Sequence, residues 1–252
     1  MSNQKTYLIS GGGSGIGKAI AQQFDKDGAR VILLGRNLQK LQNTLVTLSA
    51  ANHLIIQADI SDKTALLAYA DQIKTIAIDG IIANAGIGGE NYWGNEDRWD
   101  EIINTNLTGT YNLVNSFLPN LQLSQSETRH ILLTSSVLAR LGVINYTAYC
   151  ASKAGLLGLM RSWAMEFASQ NILVNAIAPG WVDTDMSQEG LQGIADGIGI
   201  PKNEFFDIAM QSVPLKKMSQ PQEIADLVAY LVKQKSITGQ TIDINGGSVM
   251  NS

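Results

Sequence analysis

The chain of 252 residues predicts a doubly wound α/β fold, a parallel β-sheet covered by helices on both faces. Three observations predict it: short apolar runs recur, longer amphipathic stretches separate them, and a glycine-rich turn directly follows the first run. A parallel connection needs a crossover long enough to hold a helix, so strict alternation of the two patterns points to a parallel sheet.

The runs are TYLIS at 6–10, RVILL at 30–34, HLIIQA at 53–58, DGIIA at 79–83, HILLTS at 130–135, ILVNAIA at 172–178 and QTIDI at 240–244. They are apolar at consecutive positions, as strands buried on both faces must be, and they predict seven parallel strands. Between them, 16–26, 38–48, 99–118, 148–168 and 221–232 are amphipathic and long enough for crossover helices. No repeat, charge block or linker divides the chain, so one domain over 1–252 is expected. The rhythm breaks at 184–220, rich in Gly, Met and Phe, where an irregular flap is expected. That flap follows a strand's carboxyl end, the edge where ligands bind in such sheets, and is a candidate lid.

Composition excludes several function classes. With 45% hydrophobic residues, 16% charged residues and a net charge of -4, the chain offers no basic face for nucleic acid or anionic lipid. The single cysteine, Cys150, excludes an intrachain disulfide and a cysteine-based zinc site. MSNQKTYLIS has no signal-peptide pattern and no run approaches the ~20 apolar residues of a membrane span, so a cytoplasmic protein is expected. The two histidines, His53 and His130, each begin a strand, away from the edge where a site is expected; neither a Ser/His/Asp hydrolase nor a metal site is predicted.

The turn SGGGSGIGKAI carries Gly11, Gly15 and Gly17, with Gly13, Ser14 and Ile16 between them. Glycines permit a sharp strand-to-helix turn and close backbone approach to a pyrophosphate, which the positive end of the next helix also attracts. The other reading is a loop with no ligand. The second strand ends in Gly35 and Arg36, where an acidic residue would accept from the 2′-hydroxyl of NAD. A guanidinium there suits a 2′-phosphate, so NADP(H) is expected over NAD(H); a solvated arginine is the alternative. Asp59 and Ile60, ending the third strand, suit an adenine amino group and ring, although Asp59 also fits a helix cap.

Reading the remaining strand ends in order gives Asn84, Ala85 and Gly86, then Ser135 and Ser136, with Tyr149 and Lys153 on the following helix. Together SGGGSGIG, ANAG, NTNLTG, LLTSS, YCASK, NAIAPGWVDTDM and ITGQTIDINGG resemble the short-chain dehydrogenase/reductase family over essentially the whole chain. The resemblance implies a Rossmann fold with Tyr149 as acid/base, Lys153 as its activator, Ser136 orienting the substrate oxygen and Asn106 anchoring a water-linked proton relay. Ser136 is chosen over Ser135 because it stands 13 residues before Tyr149, the usual family separation. Asn84, Ala85 and Gly86 would line the cofactor, and Pro179, Gly180, Val182 and Thr184 would hold its nicotinamide end. Ser10 stands where threonine is common and keeps the hydroxyl; Ser14 replaces a basic residue found in some NADP-dependent members, leaving cofactor preference to Arg36.

Physical chemistry supports part of this independently. Residues four apart share a helix face, with Cβ atoms ~6 Å apart, so the Lys153 ammonium is expected to lower the pKa of Tyr149. A surface Tyr and Lys pair is the bland alternative. GQTIDINGG and VPLKKMSQPQEIADLVAYL look most like 3-oxoacyl carrier-protein reductases and polyketide ketoreductases, though sugar, steroid and small-alcohol dehydrogenases have similar endings. The implied function is reversible reduction of a carbonyl substrate, with an acyl carrier protein as a candidate partner docked on Lys202, Lys216 and Lys217. A non-catalytic NADP(H)-binding redox sensor is the alternative from another class, against which intact Ser136, Tyr149 and Lys153 speak. The family implies a homo-oligomer, most often a tetramer, contacting through helices 99–118 and 148–168. Cys150 reads as a small packing residue and not a redox centre, and Trp93 and Trp99 as packing or subunit contacts, while Phe205, Phe206 and Met210 suit either a substrate cover or pins for the flap.

Overall fold

The computed structural model describes residues 4–49, 52–95 and 97–250; the expected domain limits at 1 and 252 lie outside them. The strands β1 (Thr6–Ser10), β2 (Arg30–Gly35), β3 (Leu54–Gln57), β4 (Gly80–Ala83), β5 (Arg129–Thr134), β6 (Ile172–Pro179) and β7 (Thr241–Ile244) form one sheet. Its order is β3-β2-β1-β4-β5-β6-β7, and every pairing is parallel. The order reverses between β1 and β4, which opens a crevice at their carboxyl ends.

The helices are α1 (Gly15–Lys26), α2 (Leu38–Leu45), α3 (Lys63–Gln72), α4 (Trp99–Ile103), α5 (Gly109–Leu123), α6 (Thr147–Phe167), α7 (Asp185–Ile198), α8 (Lys202–Gln211) and α9 (Pro221–Leu231). Successive residues of β1 face opposite ways: Leu8 joins a core with Phe117 of α5 and Leu156 of α6, and Ile9 joins one with Phe24 of α1 and Val228 of α9. Each fully buried Leu, Ile or Phe contributes about 1.5–3 kcal/mol, which is why the central strands are apolar at consecutive positions.

Two expectations need correction. The helix expected at 99–118 runs to Leu123 and contains a π-helical segment, Asn104–Thr108, between α4 and α5. The flap expected to be irregular is mostly α7 and α8. Thr184 caps α7 by accepting from the Ser187 N–H at 3.3 Å, and Gly199, at φ +74°, ends it. Gly190, Gly193 and Gly197 inside α7 face open space, so they cost the helix entropy, about 1 kcal/mol each, and leave no packing defect. Leu191, Met210, Val213 and Met218 give the flap a small core of its own. Its base is stitched shut: the Ser219 N–H donates to the Trp181 carbonyl and the Asp183 N–H to the Ser219 carbonyl, both at 2.9 Å. Among the described residues, no helix is long and apolar enough to cross a membrane.

Candidate active site

The crevice is built by the turn after β1. The Ser10 hydroxyl accepts from the Asn84 and Ala85 N–H groups, both at 3.0 Å, tying the ends of β1 and β4 together. The Asn84 side chain returns a bond to the Ser10 carbonyl at 3.2 Å. Gly11 and Gly15 have φ of +69° and +49°, the left-handed region that favours glycine. At Gly17 the reason is space, because a Cβ would stand 2.2 Å from the Gly11 carbonyl oxygen. Ser14 caps α1 without a side-chain bond, leaving the amide donors of the first turn to a ligand at the helix's positive end.

One continuous groove crosses this turn. Its outer part is walled by Gly13, Gly35, Arg36, Lys40, Asp59 and Ile60, and its inner part by Ile16, Ser136, Tyr149, Lys153, Pro179, Gly180, Val182 and Thr184. Gly11, Ser14, Ala85 and Gly86 wall both parts, with Asn84 in the inner one. Gly17 and Asn106 stand behind the wall and shape it. In the outer part Arg36 lies 3.5 Å from Asp59. Burial raises the Asp59 carboxyl, but bonds from Ser61 and the charge of Arg36 hold it below the usual carboxylate range. Asp59 does not cap the next helix; Asp62 does, accepting from the Ala65 N–H at 3.0 Å. Lys40 was missed in the sequence, although its spacing four after Arg36 on an exposed helix start was a usable signal.

At the inner end the two serines separate by role. Ser135 donates to the Lys153 carbonyl at 2.8 Å, fastening α6 to the end of β5. Ser136 accepts from the Leu138 N–H at 3.1 Å, which leaves its own hydroxyl proton to donate towards the cleft. Lys153 is 4% exposed, donates to the Thr134 carbonyl at 2.9 Å and stands 5.6 Å from the centre of the Tyr149 ring. Burial brings its pKa down to about 8. The expected lowering of the Tyr149 pKa is not found: burial raises it, and the Ser136 hydroxyl beside the phenol pulls it back only in part. The reason is geometric, since the ammonium sits over the ring face and is bonded to a carbonyl, so desolvation outweighs charge attraction.

Asn106 is fully buried in the π-helical segment. It donates to the Ile87 carbonyl at 2.9 Å and the Ser152 hydroxyl at 3.1 Å, and accepts from the Ile87 N–H at 2.8 Å. Ser152 in turn donates to the Tyr149 carbonyl at 2.8 Å. The side chain therefore clamps the loop after β4 to α6, with one lone pair to spare.

A second cleft opens on the far side of Ser136 and Tyr149, walled by Leu141, Val143, Tyr146, Trp181, Met186 and Ile194. Tyr146, at the N-cap of α6, Trp181 and Met186, in the first turn of α7, were not singled out in the sequence. Phe205 and Phe206 pack against the flap core and Met210 is buried within it, so they pin the flap instead of covering this cleft. Cys150 is half-buried with Sγ 3.5 Å from the Leu141 carbonyl. Trp93 is 90% exposed and Trp99 40%, and neither walls the cleft. Of the lysines expected to form a docking patch, Lys217 pairs with Glu223 at 3.1 Å and Lys216 donates to the Gln211 carbonyl at 2.6 Å.

A crevice at the sheet's switch point, floored by a glycine turn and a helix start, defines a dinucleotide-binding α/β protein. The chain belongs to the short-chain dehydrogenase family, whose model matches residues 5–194, and is an oxidoreductase of that nicotinamide-dependent group. It is 32% identical to the 3-oxoacyl-[acyl-carrier-protein] reductase FabG of Staphylococcus aureus over 259 aligned positions, covering 99% of this chain and 100% of that one. Among solved structures it resembles a single-substitution variant of the actinorhodin polyketide ketoreductase with NADPH, at a TM-score of 0.91, 29% identity and coverage of 98% and 99%. Levodione reductase follows with a TM-score of 0.87, 28% identity and 96% of each chain.

Proposed function

We propose that this protein is an NADPH-dependent carbonyl reductase that runs reversibly as an alcohol dehydrogenase. The observation that carries the reading is that Ser136 and Tyr149 belong to both the cofactor groove and the apolar cleft. A ketone held there would meet both hydroxyls from one side and the cofactor from the other.

The groove fits a dinucleotide. It has left-handed glycines, no room for a Cβ at Gly17, and free amide donors at the α1 terminus for a pyrophosphate. Arg36 and Lys40, with no acid at Gly35, favour a 2′-phosphate. When bound, reduced nicotinamide supplies a hydride to the carbonyl carbon. Tyr149, whose pKa burial raises, keeps a proton to give to the carbonyl oxygen, as an ordinary phenol also does near neutral pH. Ser136 donates a second hydrogen bond to that oxygen as charge develops. Lys153 fixes the inner wall from Thr134, and Asn106 holds the Ile87 loop and α6 in register.

The test is NADPH consumption against a panel of acyl thioesters, cyclic ketones and sugars, with NADH run alongside. Turnover preferring NADPH is expected; tight NADPH binding with no turnover on any of them would favour a redox sensor instead. Likeness to the FabG proteins supports a 3-oxoacyl thioester, delivered free or on an acyl carrier protein. Glutamate at Lys202, Lys216 and Lys217 together should slow reduction of the carrier-bound substrate, and an unchanged rate would dismiss docking there. A homotetramer is also proposed, supported by exposed Trp99, Tyr111 and Met165 on α4, α5 and α6, and sedimentation measures it.

A further inference from the structure

Tyr146 is a second phenol beside the reacting one. Its ring stands edge-on to Tyr149, with centroids 6.3 Å apart and planes at 88°. The two differ in what they face: Tyr149 walls both the groove and the cleft, whereas Tyr146 walls only the cleft. Tyr146 therefore meets the part of a substrate that continues past the reacting oxygen, away from the cofactor.

The other hydroxyls of the cleft are differently placed. Ser212 donates to the Ala209 carbonyl and Ser248 to the Asn245 carbonyl, both at 2.8 Å. Ser187 borders the cofactor groove and lies 3.4 Å from the Thr184 hydroxyl. Nearby Tyr92 is already bonded to Glu90 at 2.5 Å. Among the described residues, the Tyr146 hydroxyl has no hydrogen-bond partner. The Tyr146 hydroxyl is not among the buried polar atoms, so it is open at the cleft and can exchange water for a ligand acceptor.

Charge narrows the ligand. No Asp, Glu, Lys or Arg is among the described residues walling this cleft, and Arg98, behind Gly88, is already paired with Glu101 at 2.8 Å, so no free cation there would neutralise a carboxylate. We propose that Tyr146 donates to a second, uncharged carbonyl oxygen of the substrate, which makes it a specificity-determining residue for neutral dicarbonyl compounds over simple ketones. This inference rests on the carbonyl-reductase reading above. Burial, the Glu90 charge and the neighbouring Tyr149 and Tyr92 phenols hold the Tyr146 pKa up at about 12, so it keeps its proton near neutral pH. Tyr149 exchanges its proton, while Tyr146 keeps one.

The experiment compares kcat/KM, with NADPH, for a 3-oxo ethyl ester, a methyl ketone of equal chain length and the free 3-oxo acid. In Tyr146→Phe, which keeps the edge-on ring, the ester-to-ketone ratio should fall about ten-fold or more, roughly 1.4 kcal/mol, mainly through KM for the ester. A ratio unchanged within about two-fold would overturn the proposal. So would a ratio that falls only in Tyr146→Leu, because the ring alone would then be at work. Wild-type enzyme that reduces the free acid as well as the ester would remove the case for a neutral substrate. Wild-type enzyme that reduces none of the three would instead defeat the underlying functional reading, before Tyr146 is at issue.

Discussion

The Lys153 ammonium stands over the face of the Tyr149 ring, 5.6 Å from its centre, and gives its hydrogen bond to the Thr134 carbonyl. One turn of α6 thus sets both groups in a dry place, where each favours its uncharged form. The consequence is a pH signature in the protein without ligand.

Stability should rise with pH between about 8 and 10. The Lys153 pKa goes from 10.5 unfolded to about 8 folded, so in that window the unfolded chain holds a proton that the folded one lacks. Stability then climbs by at most about 1.4 kcal/mol per pH unit from this group. Above 10 the raised pKa values of Tyr7 and Tyr146, about 12 each, act the opposite way. Urea unfolding of wild type and Lys153→Met at several pH values measures the difference; equal slopes would show that Lys153 is not desolvated.

Tyr149→Phe removes the proton donor and leaves the ring in place. Turnover should fall by roughly 10²–10⁴ while NADPH affinity stays nearly constant. Stopped-flow absorbance and fluorescence titration measure the two separately. Retained turnover would transfer the proton-donor role elsewhere.

Gly17→Ala places a methyl 2.2 Å from the backbone oxygen of Gly11, which no side-chain rotation can relieve. We expect a loss of about 1–3 kcal/mol in stability and of most cofactor affinity. Calorimetry and dinucleotide titration are the measurements, and full affinity would mean that the turn is looser than described.

Arg36→Leu should cut the NADPH-to-NADH preference by about ten-fold or more, since a charged hydrogen bond to phosphate is worth roughly 1.5–3 kcal/mol. It also frees Asp59, now 3.5 Å from the guanidinium. The ratio of kcat/KM for the two cofactors reports the effect; an unmoved ratio would place 2′-phosphate recognition on Lys40 alone.

What could be read in advance depended on how local each signal was. The central strands were legible because a buried parallel strand is apolar on both faces, the edge strands β3 and β7 from shorter, partly buried apolar runs, and the glycine turn because its conformations demand glycine. YCASK placed Tyr149 and Lys153 on one face, but spacing could not reveal that the ammonium would bond Thr134 and lie over the ring. α3 buries little beyond Leu66 and Ala70, so its pattern was weak. α7 was hidden by its glycines, whose cost its cap and the flap core offset. Tyr146 carries no motif, although it stands at the N-cap of α6 three residues before Tyr149, a local spacing that sets it beside the reacting phenol.

The stitched base of the flap has a consequence for how the protein can change. Because Trp181, Asp183 and Ser219 meet at one point, the chain leaves the sheet and returns almost to where it left. Residues 188–218 then form a cassette with its own core, which can be lengthened, shortened or exchanged without re-registering a strand, while Thr184 to Ser187 at its start belong to the cofactor groove. Selection can redraw the substrate wall of such a protein while the cofactor floor stays untouched.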